Sequence, residues 1–358
     1  MRGICIMYDI NLISKWKTVL MGFAALWIYF NHEWITLFDH IPFLGKSEEF
    51  MIEIGFCGVD IFLLLSGMGL TYSIKKSGLL SFYWRRIRRV MIPFVLTGAF
   101  IAYIDKWGLN VFLKNVSGYS FYAENMYTFL WFVPAIMTFY FFFPFYYYFF
   151  QKSENKLFFT ASILELWLIL SIFINGTLRG ELYGLTNRIP VFLLGILLGW
   201  LCQNKKILLH RQAYLFFVIT LLLGTYLSYL TNYQKFKLLV PTPNCCVPNL
   251  LISVSLVFLL SGMLEALSSM QKLAPLTKAI TGFFAFFGKI SLEFYCLQEW
   301  IADKAEVTQL TQLSDKMYNL ILFFIAVAGG FLLYLISKGI MTVLDHMLNS
   351  LVVLFSKV

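Results

Sequence analysis

Charged side chains are scarce in this sequence: Asp, Glu, Lys and Arg make up 13% of 358 residues, whereas hydrophobic residues make up 59%. Soluble domains carry about a quarter charged residues, so a water-soluble core is excluded. Cysteine is too scattered for a disulfide framework or a zinc spacing: Cys57 and Cys296 fall inside apolar segments, and only Cys245 and Cys246 are adjacent, in an expected outer loop. No metal site and no tightly bound cofactor are therefore expected. Long polar connections are missing and no internal repeat is visible, so residues 1–358 are read as a single transmembrane domain without a separate soluble domain. The first apolar stretch lacks a small-residue cleavage site and is read as a retained span.

What the chain has instead is apolar length. A span needs about 20 apolar residues, fewer inside a bundle. Ten segments qualify: Trp16–Trp34, Ile54–Ser73, Val90–Ile104, Tyr127–Phe150, Leu157–Asn175, Ile189–Cys202, Ala213–Leu230, Val247–Leu267, Ile280–Ile301 and Leu320–Leu344. The expected fold is all-α, a polytopic integral membrane protein built as a bundle of about ten transmembrane helices. With the N-terminus inside, 18 of the 28 Lys and Arg residues fall on inner connections and nine on outer ones, with Lys289 in a span. That asymmetry puts both termini in the cytoplasm of a multi-pass protein of the cell membrane. A net charge of +9 would suggest nucleic acid for a soluble chain; here it reports topology, and no nucleic-acid partner is expected. The loop Lys235–Asn249, with Pro241, Pro243 and Pro248, reads as the most structured outer connection, and the run FYFFFPFYYYFF as lipid-facing.

Chemistry concentrates in a few places. In FYWRRIRRVMIPF, Phe82–Phe94, four arginines (Arg85, Arg86, Arg88, Arg89) stand within five residues between apolar segments. A charge at the bilayer centre costs about 2.5–3.5 kcal/mol, so the cluster is expected on a short amphipathic helix at the interface, with Pro93 opening the next span. It is either a topology anchor or a polyanion site. Upstream, FNHEW puts His32 at membrane depth, and GVDIFLLLSG puts Asp60 and Ser66 there. Asp60 and Gly67, seven apart, share a helix face, while Gly58, Gly67 and Gly69 permit close backbone approach. Near the C-terminus Ser291, Tyr295 and Gln298 follow i, i+4, i+7 spacing, with Glu299 alongside. Arg188 and Glu181 are expected at the outer side, as acceptor contacts or a surface pair.

The runs GFAALWIYFNH, GVDIFLLLSGMGL, FYWRRIRRVMIPF, LWFVPAIMTFYFFFPF, RIPVFLLGILLG and FFGKISLEFYCLQ, taken in order, resemble the membrane acyltransferase-3 family of O-acyltransferases over nearly the whole chain. The resemblance implies a bundle of about ten helices. It also implies transfer of an acyl group, usually acetyl from acetyl-CoA as donor substrate, to a hydroxyl of a glycan or lipid-linked envelope acceptor. His32 occupies the family's catalytic histidine position. Two positions depart from the pattern: Met21 stands where the family has arginine eleven residues before the histidine, with Lys17 one turn away as the candidate replacement, and Gln298 stands where a histidine is common.

The residue chemistry fits that implication. Acyl transfer to an alcohol needs a base near neutral pH, which suits histidine, and His32 is the only one of four within an expected span. Asp60 is expected to orient it, as a buried carboxylate does in a catalytic triad. Glu33, about 100° around the helix, is at most a positioning group. The four arginines match the pyrophosphate and 3′-phosphate of coenzyme A through bidentate contacts. Ser66 is grouped with that donor site, direct transfer being simpler than an acyl-serine. Tyr295, Gln298 and Glu299 are expected to position the acceptor. Expected partners are acyl-CoA, the acceptor and membrane lipids, with self-association left open. The alternatives are a transporter or flippase for an envelope precursor and an inactive acyltransferase-like sensor. Thioester consumption separates them.

Overall fold

The fold was obtained as a computed structural model, which describes residues 8–76, 78–124, 129–174, 182–204, 207–210, 212–232, 246–307 and 314–355. Helix follows helix: α1 (Leu12–Glu33), α2 (Pro42–Glu53), α3 (Cys57–Lys75), α4 (Leu79–Ile104), α5 (Leu109–Val116), α6 (Phe132–Lys152) and α7 (Lys156–Phe173). Then come α8 (Tyr183–Thr186), α9 (Ile189–Asn204), α10 (Gln212–Asn232), α11 (Cys246–Ser269), α12 (Ala274–Val307) and α13 (Asp315–Phe355). One two-residue antiparallel ladder, β1 (Tyr8–Asp9) with β2 (Leu208–Leu209), pairs Tyr8 with Leu209. Among the described residues nine helical segments are long and apolar enough to cross a membrane, α2 and α3 counting as one. The 22 residues of α1 reach about 33 Å, also sufficient, with Lys15 and Lys17 at one end and Asn31, His32 and Glu33 at the other. The protein is an all-α polytopic membrane protein.

The chain forms two compact units, each from two stretches: Met1–Gly78 with Phe142–Lys289, and Leu79–Phe141 with Ile290–Val358. In the first, α3 is the centre and is buried along most of its length. Apolar side chains gain little by leaving lipid, so close backbone packing has to hold such helices together. Glycine provides it on two faces. A Cβ at Gly58 would come within 2.7 Å of Ala24 O on α1, and one at Gly67 within 2.5 Å of Phe192 O on α9. On α1 itself, a Cβ at Gly22 would overlap the carbonyl of Phe284. The close backbone approach expected from the glycine spacing is present at Gly58 and Gly67, while Gly69 meets only the side chain of Lys17; α7 and α10 leave most of their apolar side chains exposed, as lipid-facing helices do.

Three expectations need correction. The arginine segment is not a short interfacial helix followed by a new span: α4 runs unbroken through Arg85–Arg89 and Pro93. Pro93 removes only the N–H that would donate to the carbonyl of Arg89, one turn earlier, while the Thr97 hydroxyl bonds back to Pro93 O at 2.8 Å, and the arginines are compensated by neighbouring helices. Second, α12 and α13, with 34 and 41 residues, far exceed the expected spans, because hydropathy marks only the immersed part of a helix. Third, the aromatic run is split: Phe141, Phe142, Phe145, Tyr148 and Phe149 are exposed, but Tyr140, Phe143, Tyr147 and Phe150 are buried. Most of the proline-rich loop, Cys245 included, lies outside the described residues, as does Glu181; Pro248 and Asn249 already belong to α11.

Candidate active site

In the first unit, α1 ends in a turn that separates its side chains by depth. Ile28 and Tyr29 are buried, His32 is exposed, and Glu33, about 100° around the helix, is buried. The turn closes through Trp34 N, which donates to Phe30 O at 3.3 Å. An imidazole at the open end of a packed helix can meet a hydroxyl from outside, which a buried histidine cannot do. Lys17, nearer the other end of α1, is half-buried with its ammonium against Gly69 of α3.

Asp60 is where the structure departs most from the sequence reading. Gly58 faces α1, and Asp60, two residues on, is turned about 200° from it. Its carboxylate therefore lies on the α9 side with Gly67. It accepts from Arg188, at the start of α9, and from the Asn249 amide of α11. The expected pairing of Asp60 with His32 is thus replaced: a buried carboxylate has gone to the strongest donor available, a guanidinium. Arg188, expected at the surface, is itself 9% exposed in its side chain. Cys57 adds a third link, its thiol donating to Asn249 Oδ1 at 3.5 Å. Ser66 lies half-buried on α3 beside Gly67.

The second unit holds the arginine cluster, and its members differ. Arg89 makes a two-point contact with Glu293 of α12, one arm with Nη2 at 3.1 Å from Oε2. Glu293 is fully buried while the Arg89 side chain is 36% exposed. Arg88 pairs with Asp345 of α13. Arg86 is held by aromatic rings, its guanidinium 5.8 Å from Phe82 and 5.7 Å from Tyr140 of α6. Arg85 is half-buried. Cation–π contacts leave the in-plane N–H groups of a guanidinium available, so Arg86 is oriented without being neutralised.

On α12 the spaced stripe is buried as its periodicity suggests: Ser291, Tyr295 and Gln298 all face inward, and Glu299 is half-buried. The Tyr295 hydroxyl accepts from Phe132 N at 3.4 Å, which ties it to the start of α6. Sequence reasoning missed Glu293, Asp345, Asn249 and the partner role of Arg188. Glu293 carried a signal, a carboxylate inside the apolar run ISLEFYCLQ, which the spacing of its neighbours overshadowed. The others had none, since polar residues near span ends are ordinary. Among the described residues, no group of three or more His, Cys, Asp or Glu side chains has the makings of a metal site.

A family model described as an acyltransferase domain, of the acyltransferase-3 type, matches residues 16–337. No curated protein sequence and no solved structure matches the chain.

Proposed function

The chain belongs to the acyltransferase-3 family, and from that premise we propose that it moves an acetyl group from acetyl-CoA to a hydroxyl of an extracytoplasmic glycan or lipid-linked acceptor in the cell membrane. The observation that carries this reading is the exposed position of His32 at the end of α1, a helix mostly buried between Val19 and Tyr29. Neutral His32 takes the acceptor's proton as its oxygen attacks the thioester carbonyl. The new C–O bond forms, the C–S bond breaks, and the proton passes from the imidazolium to the departing thiolate, giving an ester and free coenzyme A. The arginine cluster binds the donor's phosphates, with Arg86 and the half-exposed Arg89 as the principal contacts. Asp60 acts through helix placement and not as a direct partner of His32. Both termini are cytoplasmic, so the donor arrives from that side.

Purified protein in detergent, given acetyl-CoA and an acceptor extract, releases free thiol in this reading. His32→Ala is expected to lower that rate by ~10²–10⁴-fold with insertion unchanged. Turnover within a fewfold of the unmodified protein removes His32 from the mechanism. Orientation is tested separately. In intact cells Cys245 should react with an impermeant thiol reagent and a cysteine placed at Ser77 should not; the opposite pattern inverts the topology.

A further inference from the structure

The turn that carries His32 is held from both sides by α2. Three side chains on one stripe of α1, Trp27, Asn31 and Trp34, are spaced i, i+4, i+7 and all reach that helix. Trp27 Nε1 donates to Met51 O at 2.8 Å, and Asn31 Nδ2 to Ile52 O at 2.9 Å and Glu53 O at 3.2 Å. These carbonyls belong to the last turn of α2, where the helix tightens into the 3₁₀ turn Ile54–Phe56 and Ile52 O also accepts from Ile54 N. Beyond the end of α1, the Glu48 carboxylate takes the Trp34 indole on Oε1 at 3.0 Å. Its Oε2 takes the backbone N–H groups of Leu37 and Phe38 at 2.8 and 3.0 Å. The returning chain then packs so tightly that a Cβ on Gly45 would come within 2.9 Å of Phe38 O.

Helix ends fray, and His32 is one residue from the end of α1. A general base has to be held within about half an ångström of its working position, which a frayed turn cannot provide. The bonds to α2 fall at positions 27, 31, 34, 37 and 38, on both sides of residue 32, so they fix the one turn that the chemistry requires to be fixed. We infer that α2 is a dock that aims His32, with Glu48 and Asn31 as positioning residues. The inference rests on the reading of His32 as the base.

Glu48→Gln tests it, because the amide presents one acceptor oxygen and an NH₂ group that opposes the other set of N–H donors. The expected result is a kcat roughly tenfold lower with the KM for acetyl-CoA unchanged, and recovery of most of the turnover in Glu48→Asp, which keeps both oxygens. Trp34→Phe keeps the ring contact with Phe30, at 4.9 Å between centroids, and removes only the indole donor. It should lose kcat by a few-fold, again without a change in KM, and provides a milder variant if Glu48→Gln folds poorly. Full turnover in Glu48→Gln and Trp34→Phe while His32→Ala is inactive overturns the dock and leaves the base assignment standing. A Glu48→Asp variant as slow as Glu48→Gln overturns it as well. Full turnover in His32→Ala removes the base and the dock together.

Discussion

Each unit joins its helices with arginine–carboxylate pairs, and the two units bury them differently. In the first, both partners are nearly inaccessible, Arg188 at 9% and Asp60 at 2%. In the second, fully buried Glu293 meets an Arg89 side chain that is 36% exposed, and Arg88, at 18%, meets an Asp345 that is 47% exposed. A guanidinium has five N–H donors, and a two-point carboxylate contact uses two. Arg89 thus keeps part of its guanidinium open to its surroundings, whereas Arg188 is enclosed. The same chemical pair is enclosed in one setting and partly open in the other.

The largest effect should follow from breaking the enclosed pair. Asp60→Ala leaves the Arg188 charge buried and uncompensated, at a cost of ~3–5 kcal/mol, read as a lowered unfolding midpoint in detergent and reduced insertion. Removing both charges with Asp60→Leu and Arg188→Met should restore most of that loss, because apolar replacements of a buried pair are close to neutral. If the double variant is stable but inactive, Asp60 takes part in the reaction and structural pairing is an incomplete description. If Asp60→Ala alone is as stable as the unmodified protein, the distinction between the units fails at its strong end.

The next effect separates members of the cluster. Arg86→Ala should weaken acetyl-CoA binding by ~1.5–3 kcal/mol, the value of a charge-assisted contact, with little loss of stability, since its partners are rings. Arg89→Ala should reduce stability as well as binding, because it strands the buried Glu293 carboxylate. Lysine at position 86 should rescue only partly, lacking the planar fork. A short thioester without the nucleotide should bind the unmodified and Arg86→Ala proteins alike. Equal binding of acetyl-CoA by both would reduce the cluster to a topology anchor and a helix fastener.

The sequence shows which face of a helix is special more readily than it shows what that face meets. The spacing of Gly58, Gly67 and Asp60 correctly marked α3 as a helix for close packing, and the stripe Ser291, Tyr295, Gln298 correctly turned inward. Partner choice was out of reach, because Asp60 and Arg188 are 128 residues apart and Arg89 and Glu293 are 204 apart. Periodicity along one helix carries no information about rotation of another. Hydropathy likewise failed for α4, where compensation by α12 and α13 removes the penalty that argued for a break at the arginines. The dock of α2 on α1 was hidden for a different reason: five of its six bonds use a backbone carbonyl or amide, which leaves no mark on composition.

The smallest effect lies at the end of α4, where Asp105 accepts from Trp300 Nε1 at 3.1 Å and pairs with Lys304 at 2.6 Å. This pair is open to solvent on both sides, at 22% and 37% exposure, so it extends the comparison to its weak limit. Exposed pairs contribute no more than about 1 kcal/mol. The hydrogen bond from Lys304 holds the Asp105 carboxyl below its ordinary value of 3.8, with the Trp300 indole adding to the effect. A carboxylate depressed in the folded state stabilises fully above its unfolded pKa and stops doing so as pH falls through the lower, folded one. Asp105→Asn keeps an acceptor for the indole and removes only the charge. At pH 7 the variant should therefore unfold at a slightly lower temperature than the unmodified protein, and the gap should close as pH is lowered well below 3.8. A gap that persists undiminished in acid would assign the stabilisation to hydrogen-bond geometry at this site and not to charge. A gap as large as that of Asp60→Ala would abolish the ranking of these pairs by burial.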